Sequence, residues 1–280
     1  MYWLVLASLT SLGFGQLFKW SQRRGCHAPT VVSANYLTLA AVLAIWHLWT
    51  GNDFAVPASV IVGGAMGLSF IVAMLVMTGA LERFPVGMVL TSFRLSILAP
   101  VVVSVWLWGE SLSAVQASGI GLALVALALI SMSRSSGRSR PVVGAAALLT
   151  ALAVFATQGV GQICLGWVHY AGLDEQRLTV LMTCAATAGT GGGLVLLVRR
   201  HRPRIRDLHM GVGIGLFNLV ALATTLTALM HLDRTLFFPV TGCLVVLLDG
   251  LFAHLWWKER MGRVGALGAG LGALALLLVL

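Results

Sequence analysis

The chain has 280 residues, 59% of them hydrophobic and only 10% charged, with a mean hydropathy of +0.95. A soluble domain carries roughly 25% charged residues, so a water-exposed globule, a disordered chain and a fibre are excluded, and lipid is the solvent for most of the surface. The net charge of +9 lies between apolar runs, which fits membrane orientation and not nucleic-acid binding.

Residues 1–18 are uncharged and are closed by Lys19, Arg23 and Arg24. Met1-Tyr2-Trp3 offers no basic leader, so this run reads as a first span and not as a cleaved signal. Residues 28–49 form the second span, ending near Gly51-Asn52-Asp53, and 58–80 the third, stopped by Glu82-Arg83-Phe84-Pro85. The fourth, 86–108, encloses Arg94 and ends before Gly109-Glu110-Ser111. The fifth, 114–132, runs into a Ser/Arg-rich segment ending at Arg138-Ser139-Arg140-Pro141. Five more follow at 142–166, 177–198, 208–230, 235–256 and 262–280, with the basic stretch Arg199 to Arg206 between the second and third of them. Each run is long enough to cross about 30 Å of hydrocarbon. A backbone in lipid must satisfy its own N–H and C=O groups, so helices are required, and the continuous Leu/Val/Ala/Gly runs lack the alternation of barrel strands. The expected fold is an all-α integral membrane protein of ten transmembrane helices. It divides into residues 1–133, a basic linker at 134–141, and residues 142–280.

All nine tryptophans fall near the ends of these runs, where an indole buries its ring and keeps its N–H near water. The loops after odd-numbered spans carry fifteen of the eighteen basic residues, against Arg177 and Arg234 on the other side. The positive-inside rule puts the rich side in the cytoplasm and both termini outside, in a plasma (inner) membrane. The four cysteines, Cys26, Cys164, Cys184 and Cys243, follow neither a disulfide nor a zinc spacing.

The halves repeat. Trp108-Gly109-Glu110 precedes Gly119 and Gly121, and Trp257-Lys258-Glu259 precedes Gly268 and Gly270. Ala80-Leu81 aligns with Ala228-Leu229, and Gly15-Gln16-Leu17 with Gly161-Gln162-Ile163. An odd number of spans per half puts the two glutamates on opposite faces, so the repeats are inverted, an arrangement common among secondary transporters. With Pro85-Val86 and Pro100, these residues resemble the EamA-type branch of the drug/metabolite transporter superfamily over nearly the whole chain. The resemblance implies two inverted five-helix halves (5+5), a central cavity, and movement of small metabolites or drugs. Lys258 stands where the family pattern has glycine.

Arg94 and Asp249 are the formal charges deep in the runs; a charge at that depth needs a polar cavity or a partner. Arg94 suits a substrate carboxylate or phosphate. Asp249 suits a proton or an amine, and a permanent Arg94–Asp249 ion pair locking two helices is the structural alternative. Gln16, Gln162 and Asn218 offer amides for lining a path or for interhelical hydrogen bonds. Asn35 and Tyr36 are weaker candidates for lining the path, with an interfacial position as the alternative; the histidines read as hydrogen-bonded or interfacial, and Glu110 and Glu259 as caps on the helices that follow them.

The leading function is secondary active transport of a small polar or amphipathic metabolite, anionic or amino-acid-like, by alternating access. No cofactor, metal site or enzymatic centre is expected. The implied partners are the solute, membrane lipids and a coupling proton, with a monomer or a homodimer as the working unit. A lipid-linked or amphipathic cargo is the alternative within transport, and a membrane enzyme or a structural or regulatory subunit is the alternative outside it.

Overall fold

Lipid leaves the backbone no outside hydrogen-bond partners, and the apolar runs close into helices throughout. The computed structural model describes residues 2–51, 57–84, 86–133, 145–200, 202–256 and 263–279. The linker 134–141, Asn52-Asp53, Pro85, His201 and the 257–262 segment with Lys258 and Glu259 lie outside these residues. Among them are α1 (Tyr2–Arg23), α2 (Ala28–Thr50), α3 (Pro57–Arg83), α4 (Val86–Leu95), α5 (Leu98–Trp106) and α6 (Ala114–Ser133). The second half of the chain adds α7 (Ala145–Tyr170), α8 (Arg177–Val198), α9 (Ile205–His231), α10 (Arg234–Leu255) and α11 (Arg263–Val279). Six of them, α2, α3, α7, α8, α9 and α10, are long and apolar enough to cross a membrane.

The expected fourth span is two helices. Pro100 has no N–H to give to the carbonyl four residues back, and its ring crowds that carbonyl. The carbonyl belongs to Ser96, and the chain breaks there between α4 and α5. Ser96 O accepts from Ala99 N instead, at 3.0 Å, a tighter turn than the α-helix uses. In α10, Pro239 produces no break: it is only the sixth helical residue, and the helix runs on to Leu255.

The helices form two compact units. One comprises Met1–Ile71 and Cys164–His231; the other comprises Val72–Ile163 and Leu232–Leu280. Two of the three boundaries fall inside α3 and α7, so each unit takes one part of both helices, and the third falls between α9 and α10.

In the first unit, α2 packs on α8 and α9, and α1 on α9. Small residues set the spacing. A Cβ on Gly215 of α9 would lie 2.6 Å from the Asn35 carbonyl oxygen of α2, and one on Gly67 of α3 would meet the Cys184 carbonyl of α8. Such backbone-to-backbone approach is how helices associate where lipid supplies no hydrophobic drive. Gly189 and Gly192 make room for Leu37 and for the Ser33 side chain of α2, so the Gly-rich stretch of α8 is a packing surface. His47 is buried between α2 and α8, with Nδ1 2.9 Å from Leu43 O and Nε2 2.8 Å from the Thr179 hydroxyl. A neutral ring serves both: Nδ1–H donates to the carbonyl and Nε2 accepts the hydroxyl proton.

In the second unit, α6 packs along α11, and α10 against α5, α6 and α11. Ala80, Val89 and Val154 form a buried cluster with Met77, Phe84 and Phe93 around it. Glu110 differs here from its expected role. The start of α6 is closed by a reciprocal pair, Ser113 N donating to Gln116 Oε1 and Gln116 N to Ser113 Oγ, which is a capping box. Glu110 instead caps α10: its carboxylate accepts from Arg234 N at 3.2 Å, Thr235 N at 2.9 Å and Arg234 Nη1 at 3.2 Å. The pair is almost wholly buried. A carboxylate on exposed N–H groups opposes the positive end of the helix.

Two stability measurements follow from this packing, both by thermal unfolding in detergent. Gly215→Val should cost about 1–3 kcal/mol through overpacking. Gly213→Ala, with nothing within 4 Å of the added carbon, should be neutral or stabilising by about 0.5–1 kcal/mol. Glu110→Ala should cost about 3–5 kcal/mol because it strands a buried arginine, and Glu110→Gln, which keeps an acceptor, should cost less.

Candidate functional site

The α4–α5 break gathers polar groups within the second unit. Arg94 is the penultimate residue of α4, half-buried, with its guanidinium carbon 5.2 Å from the centre of the Phe93 ring, within cation–π range. Arg94 O accepts from Ile97 N at 3.4 Å as the helix loosens. One turn before Arg94 and on the same face, the buried Thr91 hydroxyl has no hydrogen-bond partner.

The first part of α7 lies against the break. A Cβ on Gly159 would be 2.6 Å from the Ala99 side chain and 3.6 Å from Ser96 O. One turn on, Gln162 Nε2 donates to Ser96 Oγ at 3.0 Å. Its amide oxygen, Oε1, is buried and unpartnered. Gln158, four residues earlier on that face of α7, turns its amide nitrogen to the Met77 sulfur at 3.8 Å. Two more buried hydroxyls of this unit, Ser104 on α5 and Thr241 on α10, are unpartnered as well. Each buried polar atom left without a partner costs about 1–3 kcal/mol, and such atoms are ordinarily completed by water or a polar ligand.

The five expected site residues divide between the units. Arg94, Gln162 and Asp249 belong to the second, Gln16 and Asn218 to the first. Arg94 and Gln162 meet the same break, Arg94 by position and Gln162 through Ser96. Asp249 is half-buried on α10. Gln16 on α1 and Asn218 on α9 are buried. Asn35, the weaker path-lining candidate, is buried at the α2–α9 contact with its amide oxygen unpartnered.

Sequence reasoning passed over Thr91, Ser96, Gln158 and Asp207. Ser96 was legible as the residue four before Pro100, and Gln158 as the i−4 partner of Gln162. Asp207, in the first turn of α9, is 1% exposed with both carboxylate oxygens unpartnered; the positive end of its own helix favours the charge there. In the sequence it directly follows the basic stretch Arg199 to Arg206. Among the described residues no three His, Cys, Asp or Glu side chains come together as metal ligands.

If the Gln162–Ser96 bond fixes the break, Gln162→Leu and Ser96→Ala should each destabilise the protein. Their double-mutant cycle should return a coupling of about 0.5–1.5 kcal/mol in unfolding; additive effects would mean that the bond contributes nothing.

No protein-family model matches the chain, and no curated protein matches it. Among solved structures, one described only as "Crystal structure of protein" superposes with a TM-score of 0.75 at 18% identity, covering 98% of each chain. The chain therefore shares that multi-helix fold over its whole length.

Proposed function

We propose that this chain is a secondary active carrier that binds a small polar or amphipathic solute, anionic or amino-acid-like, at the α4–α5 break and releases it by alternating access. The observation that carries the reading is the interrupted helix itself. A span broken at mid-length, with a cation at the end of one half and an unpartnered amide beside the gap, is how transporters build binding sites in a bilayer. Irregular backbone is tolerated at that depth only where it lines a cavity or is buried in protein. Arg94 then pairs with a carboxylate or phosphate of the solute, and Gln162 Oε1 accepts from its ammonium or hydroxyl group.

The helix pairing supports the rest of the proposal: ten spans in two inverted five-helix repeats, as in the EamA-type transporters that the sequence resembles. An inverted repeat maps α2 onto α8 and α6 onto α11, and each helix packs on its own counterpart, as elements beside a two-fold axis must. It also maps α1 onto α7 and α9 onto α3. α1 packs on α9, and α7 meets α3 through Val154, Gln158 and Met77. The charge asymmetry places both termini outside the cytoplasm under this scheme.

Uptake into proteoliposomes tests the proposal, using a panel of radiolabelled carboxylates, phosphate esters and amino acids. Wild type should accumulate a member of the panel, and Arg94→Gln should lower its initial rate at least tenfold, the scale of one charge-assisted hydrogen bond. Uptake equal in Arg94→Gln and wild type would remove Arg94 from the site. Scrambling of a lipid-linked solute with no uptake of the panel would favour an amphipathic cargo, and product formation without a gradient would favour an enzyme. Proton coupling is assigned to Asp249: Asp249→Asn should abolish accumulation driven by a pH gradient and keep downhill exchange. Equal gradient-driven accumulation in both proteins would exclude that role.

A further inference from the structure

A groove of about 350 Å³ runs between the last turns of α3 and the first turns of α7, inside the second unit. Its α3 wall is a stripe at four-residue spacing, Leu75, Gly79 and Arg83, and its α7 wall is Leu149 and Ala153 with Thr150 beside them. Residues four apart stack on one helix face, so the groove follows the helix axis and ends at a cation. Gly79 makes the room, since nothing lies within 4 Å of the position its Cβ would take. Leu149 and Arg83 are exposed, so the groove opens sideways as well as at its charged end.

We propose that this groove holds one acyl chain of an anionic phospholipid, with the lipid phosphate on the Arg83 guanidinium. The shape and the charge point the same way. An apolar slot along the membrane normal fits a hydrocarbon chain, and the cation stands where that chain's headgroup reaches the basic, cytoplasmic-side leaflet. Charge also decides against the chain's own linker as occupant: residues 134–141, which lead toward α7, carry Arg134, Arg138 and Arg140, and these repel Arg83. The groove is walled by α3, by Phe84 just after it and by α7, and does not include the α4–α5 break, so the lipid is a bound component of the carrier and not its cargo.

Native mass spectrometry of the purified full chain is the test, with phosphatidylglycerol and phosphatidylcholine of identical acyl chains as the probes. Wild type should retain phosphatidylglycerol about fivefold over phosphatidylcholine, the ratio expected from one arginine near a lipid phosphate. Arg83→Gln, a change at an exposed side chain, should bring the ratio to about one. Gly79→Leu should fill the slot and reduce retention of both lipids. Arg177→Gln, at the start of α8 where Arg177 bonds the Asp174 carbonyl, should leave the ratio unchanged. Equal retention of the two lipids by wild type would overturn the proposal, as would an unchanged ratio in Arg83→Gln. So would a photoreactive phosphatidylglycerol acyl chain that labels peptides other than those of α3 and α7, or a Gly79→Cys variant that cross-links to the linker or to a second copy.

Discussion

In an uninterrupted helix the Ser96 carbonyl would accept the N–H of residue 100. Pro100 has none, the carbonyl turns to Ala99 N, and α4 and α5 part company at that point. In water such a break costs little, because solvent takes up the freed groups. In lipid each must be answered from within the protein: Ala99 N takes the Ser96 carbonyl, and Ser96 Oγ donates to Phe93 O at 2.6 Å. Gly159 lets α7 approach the break, and Gln162 donates to Ser96 Oγ. The Gln162 oxygen and the Thr91 hydroxyl are buried without partners on the two helices, and Arg94 stands at the end of α4, two residues before Ser96.

The remainder of the molecule supplies stiffness. Gly67 and Gly215 bring backbones into contact in the first unit, and His47, held by Nδ1 on its own helix, joins α2 to α8 through Nε2. In the second unit the Glu110 carboxylate ties the segment after α5 to the start of α10. Tight seams and buried caps are costly to distort. In the proposed carrier, the broken helix is where the two access states would differ.

Much of this was legible in the residues. Charged clusters such as Glu82-Arg83 and Arg199-Arg200 stop the apolar runs because charge is expelled from hydrocarbon, and the helices end close to where those clusters fall. Pro100 was visible, but its effect lands four residues upstream, so a single smooth span was expected across 86–108. Glu110 was recognised as a cap and given the wrong helix: Ser113 and Gln116 already close α6, and the partner of Glu110 lies 124 residues away, beyond the reach of local pattern. Arg94 stood out by charge. Gln158, Thr91 and Asp207 did not, since an amide, a hydroxyl or a carboxylate acquires meaning only from burial and missing partners, which spacing alone does not report.

The central claim is that the gap beside Arg94 opens to water and to solute from each side of the membrane in turn. Its most direct measurement replaces Thr91 with cysteine in a chain whose four native cysteines have been removed, followed by labelling with a membrane-impermeant thiol reagent from one side and then the other. The account predicts modification from both sides, slowed by the transported solute. A Thr91→Cys thiol that stays unreactive from both sides, in a folded protein, would contradict it.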